Sequence, residues 1–127
     1  MSKILIVEDD EFVRDLYKNI FQKRGYEVEA TRTGEEGFKK AVGNSFDLIL
    51  LDISLPKASG IEILEKLKDS GKTKKISVFM LTNQSQESTV KEAFQKGAEG
   101  YIVKARMLPE QVVSEVENFL KTKKDHL

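Results

Sequence analysis

The segment Ile4-Leu5-Ile6-Val7-Glu8-Asp9-Asp10 decides the fold of this 127-residue chain. Four apolar residues in succession, cut off by acid, describe a strand buried on both faces. The period then changes at once. Val13, Leu16, Tyr17, Ile20 and Phe21 fall at i, i+3, i+4, i+7 and i+8, one apolar stripe on a helix, and Gly25 supplies its stop. A doubly buried strand running straight into an amphipathic helix is the opening of a parallel βα unit.

The same alternation repeats outward. Leu48-Ile49-Leu50-Leu51, Ile76 to Leu81 and Tyr101-Ile102-Val103 are further strand candidates. Tyr26 to Thr31 alternates apolar and polar residues and reads as an edge strand with one wetter face. Between them lie helical patterns. Thr33-Gly34-Glu35-Glu36 is a capping box, with Phe38, Ala41 and Val42 behind it. Ile61, Leu64 and Leu67 form the third stripe, ending near Gly71, and Val90, Ala93 and Phe94 the fourth, ending at Gly97. Pro109 opens the last helix, which carries Val112, Val113, Val116, Phe119 and Leu120 to about Lys123. The expected architecture is α/β, a (βα)5 doubly wound five-stranded parallel sheet in the flavodoxin-like order 2-1-3-4-5. One domain over residues 1–124 and a tail over 125–127 are expected.

Composition narrows the chemistry. Cys is absent and the single His, His126, lies in the tail, which excludes disulfides, thiolate metal sites, cysteine nucleophiles and multi-histidine metal centres. Lys plus Arg and Asp plus Glu are both 21, so the formal charge is zero and direct nucleic-acid binding is not expected. No apolar run approaches the roughly 18 residues of a membrane span. No signal-peptide core follows Lys3, and the cytoplasm is the expected location. The Lys72-Thr73-Lys74-Lys75 cluster reads as a solvated loop.

In open α/β sheets, chemistry collects at the carboxyl ends of the strands. Glu8-Asp9-Asp10 follows the first apolar run, Asp52 the third, Thr82 the fourth and Lys104 the fifth. In the order 2-1-3-4-5 these four ends are neighbours. Several carboxylates in one pocket repel one another. A hard divalent cation with oxygen ligands, Mg2+ or Mn2+ in its place, removes the conflict and keeps open positions for a phosphoryl oxygen. Lys104 suits a phosphate oxygen and Thr82 can donate to one. Asp52, ending the central strand, is the expected nucleophile, giving an acyl phosphate. Acid at a strand end also caps helices, and Asp10 is the candidate for that role.

These segments, together with Leu55-Pro56, Gly60, Met80-Leu81-Thr82 and Gly97-Ala98-Glu99-Gly100-Tyr101-Ile102-Val103-Lys104, resemble the CheY-like receiver domain of two-component response regulators along essentially the whole chain. The resemblance implies that Asp52 accepts a phosphoryl group from a phosphohistidine on a histidine kinase or phosphotransfer protein. It implies that Asp9 ligates Mg2+ directly, Glu8 through water, and the backbone carbonyl of Ser54 as a further ligand. Thr82 becomes the switch hydroxyl, Lys104 the phosphate partner and Tyr101 the aromatic that turns inward with Thr82. The Ser54 and Gln84 side chains occupy positions that tune phosphoryl lifetime. The face of the fourth helix, fifth strand and fifth helix becomes the output surface for a downstream protein or a second copy. Such a protein is a signalling switch that catalyses its own phosphorylation and dephosphorylation rather than an enzyme turning over a separate substrate.

Two positions depart from the family pattern. Ala105 stands where Pro usually follows the lysine across a cis peptide, and Asn83 stands where a small residue is common. Two other readings stay open. One is a receiver-like interaction module independent of phosphorylation. The other is an aspartyl phosphatase of the haloacid-dehalogenase type, against which Ser54 stands in place of that family's second Asp.

Overall fold

Along each inner strand, successive side chains enter opposite layers of the molecule, as the period of two requires. The computed structural model describes residues 2–83 and 87–125. The elements are β1 (Lys3–Val7), α1 (Glu11–Lys23), β2 (Glu27–Thr31), α2 (Gly34–Gly43), β3 (Leu48–Asp52), α3 (Gly60–Asp69), β4 (Ser77–Thr82), α4 (Glu87–Gln95), β5 (Gly100–Val103), a 3-10 turn (Lys104–Arg106) and α5 (Pro109–Asp125). All strand pairs are parallel and the order is β2-β1-β3-β4-β5. Leu5, Val7, Ile49, Leu51, Val78 and Met80 face α2, α3 and α4, packing on Ala41, Leu64 and Ala93. Ile4, Ile6, Leu48, Leu50, Phe79 and Leu81 face α1 and α5, packing on Tyr17, Phe21, Val112 and Val116. Both faces of the sheet are therefore dry, which is why the inner strands read as unbroken apolar runs.

Local chemistry sets the helix starts. The Asp10 carboxylate accepts from the Val13 N–H at 3.1 Å, so Asp10 is the cap expected from its position. Thr33 accepts from the Glu36 N–H at 3.2 Å and Ser59 from the Glu62 N–H at 3.3 Å. At the end of α1, Gly25 has φ +91°. Its N–H donates to Gln22 O and that of Tyr26 to Phe21 O, the paired bonds of a Schellman stop that a side chain at this φ would strain.

Several element boundaries differ from the sequence reading by one or two residues. Asp52 and Thr82 are the last residues of their strands rather than the residues after them. Helix α5 runs through Asp125 instead of stopping near Lys123. Phe94 is not part of the core: it is 47% exposed, and the side chain that seats α4 is Ala93. The peptide bonds of the described residues are all trans, including Lys104–Ala105. No helix among them is long and apolar enough to cross a membrane.

The edge strand is wet as expected, and it holds an ion-pair cluster. Glu29 takes Lys40 at 2.6 Å and Lys3 at 3.0 Å. The hydrogen bonds from Lys40 and then Lys3 hold its carboxyl below the usual carboxylate range. A depressed folded pKa means stability that is present above about pH 4.3 and lost as pH falls through the lower folded value. Because the cluster is partly exposed, Glu29→Gln is expected to cost under about 1 kcal/mol at pH 7 and nothing at pH 2. Urea unfolding at the two pH values measures this, and an equal loss at both would show that packing rather than charge is responsible.

Candidate functional site

The carboxyl end of the sheet carries the site because parallel strands all finish on the same side. Pairing ends at Val7 opposite Thr31 and Leu51, at Asp52 opposite Leu81, and at Thr82 opposite Val103. The residues at these ends are thus forced together: Glu8 just past β1, Asp52 closing β3, Thr82 closing β4 and Lys104 just past β5. Carboxylate oxygens of Glu8, Asp9 and Asp52 all lie within 4.8 Å of one another. Glu8 is 0% exposed and Asp52 3%, while Asp9 sits at the open rim.

Lys104 joins the two buried acids. Its ammonium hydrogen-bonds to Glu8 Oε1 and lies 3.3 Å from Asp52 Oδ2. The Ser54 N–H donates to the other Asp52 oxygen, Oδ1, at 3.0 Å. Glu8 Oε2 is buried and, among the described residues, has no hydrogen-bond partner. Burial, and next the neighbouring Asp52 carboxylate, push the Glu8 carboxyl up to about 8, against the pull of Lys104. For Lys104, burial acts to lower the ammonium, but its hydrogen bond to Glu8 and the Asp52 charge outweigh that and raise it. One ammonium is therefore too little positive charge for this many acids. An orphaned carboxylate oxygen within an all-oxygen donor set fits a hard divalent cation such as Mg2+.

Tyr101 is half-buried, packs against the layer beneath α3 and α4, and shares a hydrogen bond with Thr82. Ser54 is exposed, with its side chain at the rim. Gln84 and His126 lie outside the described residues. Three neighbours of the site went unnoticed in the sequence. The guanidinium of Arg14 reaches the main chain behind Glu8 and Asp9. The ring of Tyr17 is buried beside the pocket, where Lys104, Glu8 and Asp52 act on its hydroxyl. Ser59 starts α3 against the end of β3. Only Ser59 carried a readable signal, as a hydroxyl three residues before Glu62 ahead of an apolar stripe.

Comparison with known proteins agrees with this geometry. The family model described as the response regulator receiver domain matches residues 4–117. The transcriptional regulatory protein SrrA of Staphylococcus aureus is 34% identical over 120 residues, which cover 94% of this chain and 48% of SrrA. The chain thus spans about half the length of the curated relatives it matches. Among solved structures, a CheY-like receiver domain protein from Methanospirillum hungatei superposes with a TM-score of 0.91 at 31% identity, covering 100% of this chain and 99% of that one. The chemotaxis protein CheY4 of Vibrio cholerae superposes with a TM-score of 0.87 at 30% identity, covering 93% and 98%. A match this long, in a chain whose strand order is the one its alternation of elements predicts, shows that the chain belongs to the receiver-domain family of two-component response regulators.

Proposed function

We propose that this chain is a phosphorylation-controlled switch whose phosphoryl acceptor is Asp52. The observation that carries the reading is the convergence of the Glu8, Asp9 and Asp52 carboxylates within 4.8 Å, with Lys104 held on Asp52. The donor is a phosphohistidine on a histidine kinase or phosphotransfer protein. An Asp52 carboxylate oxygen attacks phosphorus and the P–N bond breaks. The imidazole leaves with the bonding pair and a solvent proton, and Asp52 becomes an acyl phosphate. Glu8, Asp9, Asp52 and the Ser54 carbonyl would hold Mg2+, or Mn2+ in its place. When bound, the metal supplies positive charge opposite the phosphoryl oxygens.

The protein's own groups do the rest by position. Lys104 stands where it can exchange a carboxylate oxygen for a phosphoryl oxygen. Thr82 is the hydroxyl that turns to the new phosphate, and Tyr101, already bonded to Thr82, follows it. The output surface is the face of α4, β5 and α5. Phe94, 47% exposed on α4, gives that face an apolar contact for a downstream protein or a second copy. The Ser54 and Gln84 side chains set phosphoryl lifetime.

Incubation with a small acyl phosphate donor, followed by intact-protein mass, tests the reading. One phosphoryl adduct is expected, and a metal chelator should prevent it. The absence of any adduct at millimolar Mg2+ would overturn it. Lys104→Ala is expected to slow the modification about a hundredfold. The same change removes a cation from among the acids, so Mg2+ should bind more tightly by calorimetry. An unchanged rate would remove Lys104 from the chemistry.

A further inference from the structure

We propose that Arg14 is a positioning residue for the acidic pair, holding the main chain of Glu8 and Asp9 in the arrangement that brings their carboxylates to Asp52. This rests on the reading of that cluster as a Mg2+ site. Sheet pairing of β1 stops at Val7, opposite Thr31 and Leu51. One more ladder-like bond follows, from the Glu8 N–H to Thr31 O at 3.1 Å. Beyond it the carbonyls of Glu8 and Asp9 have left the sheet, and main-chain acceptors at such a place need donors from elsewhere. Arg14 supplies them. Its Nη1 donates to Glu8 O at 3.0 Å and, more weakly, to Asp9 O at 3.4 Å. Its main-chain N–H donates to Asp10 O at 2.9 Å. That last bond is the ordinary one of the first helical turn, so the guanidinium itself gathers the carbonyls of two consecutive residues, 8 and 9. Asp10 anchors the same turn from the other side by capping α1.

The choice of partner is informative. A guanidinium ordinarily pairs with carboxylates, and several lie close by. Among the described residues Arg14 nevertheless forms no ion pair; both of its side-chain bonds go to main-chain oxygens. Its grip therefore uses no carboxylate oxygen, and the cluster's donor atoms stay available to a cation. Lys104 behaves in the opposite way, since it binds the Glu8 and Asp52 oxygens directly.

The two things Arg14 brings, a positive charge and a fixed backbone, have opposite consequences for a bound cation. Loss of the charge alone would tighten Mg2+ binding. Loss of the positioning would weaken it, as removal of groups that orient ligands commonly does by roughly tenfold or more. The experiment is a Mg2+ titration of the unphosphorylated chain, followed by amide shifts of Asp9 and Asp52, for wild type, Arg14→Ala and Arg14→Lys. Repetition in high salt screens the charge contribution and leaves the positional one. Arg14→Ala is expected to bind Mg2+ about tenfold more weakly in both salts, and Arg14→Lys, which keeps a donor and the charge, to recover part of the loss. Both variants keep every core side chain, and an unchanged amide spectrum outside residues 7–14 certifies the fold. Equal or tighter binding by Arg14→Ala would overturn the proposal while leaving the metal site intact. A wild-type chain that ignores millimolar Mg2+ would overturn the metal reading itself, and this proposal with it.

Discussion

Asp52→Asn is expected to abolish modification by a small phosphodonor completely while leaving the fold intact. The change is isosteric: Oδ1 can still accept the Ser54 N–H now 3.0 Å away. What disappears is the nucleophile, because a neutral amide oxygen does not displace a leaving group from phosphorus to give a stable acyl phosphate. The stability should rise slightly. Asp52 is 3% exposed beside Glu8, and its charge is one of the causes that push the Glu8 carboxyl up. Removing it relieves that repulsion, although Lys104 loses its 3.3 Å contact. Intact mass after prolonged incubation with donor and Mg2+ gives the first result, and the urea midpoint the second. A persistent adduct would mean that the acceptor is another residue. A variant much less stable than wild type would mean that the Asp52–Lys104 pair holds the fold together rather than being held in place by it.

Gly60→Ala is expected to be among the most destabilising single-methyl changes available in this chain. Gly60 begins α3 directly against the end of β3, with its N–H on Ile53 O at 2.8 Å. A Cβ there would lie 2.2 Å from Asp52 O, 2.7 Å from Ile53 Cα and 2.9 Å from the Asp52 carbonyl carbon. These are main-chain atoms and cannot swing aside as a side chain would. The helix must lift from the sheet or the peptide after Asp52 must move. Overpacking of this kind costs about 3 kcal/mol or more when the neighbour is rigid. Since the atoms displaced belong to Asp52, phosphorylation of the folded fraction should slow as well. Gly43→Ala is the control: Gly43 is the last residue of α2 and a Cβ there meets nothing within 4 Å, so no loss of stability is expected. Urea unfolding of the pair checks both. A Gly60→Ala midpoint equal to wild type would show that α3 is not packed against β3 this closely.

The strands were legible because both faces of the sheet are covered. Ile4 and Ile6 face one layer, Leu5 and Val7 the other, so all four positions from Ile4 to Val7 had to be apolar. The edge strand β2 was legible for the complementary reason, since Glu27 and Glu29 point to the wet side and meet Lys3 and Lys40. Phe94 was misread because α4 is a helix of nine residues that buries only Ala93. On so short an element, a neighbouring aromatic fits the same stripe whether it faces in or out. The two buried glycines of α2 were invisible as core. Gly34 is backed by Ile63, and Gly37 by Val7 and Thr31, so the close approach is made by the absence of a side chain.

The sequence alone determined the alternation of elements and the polar residue type at each strand end, because burial on two faces and strand termination are local constraints written in consecutive residues. Whether those ends converge is not local. Glu8 and Lys104 are 96 positions apart, and only the order β2-β1-β3-β4-β5 makes them partners. The tertiary structure also decided which oxygen each donor takes: Lys104 on the buried carboxylates, Ser54 on the remaining Asp52 oxygen, Arg14 on the carbonyls behind them. Hydrogen bonds to main-chain oxygens leave no trace in residue type, since every residue carries the same carbonyl, and only the path of the backbone tells which of them a side chain can reach.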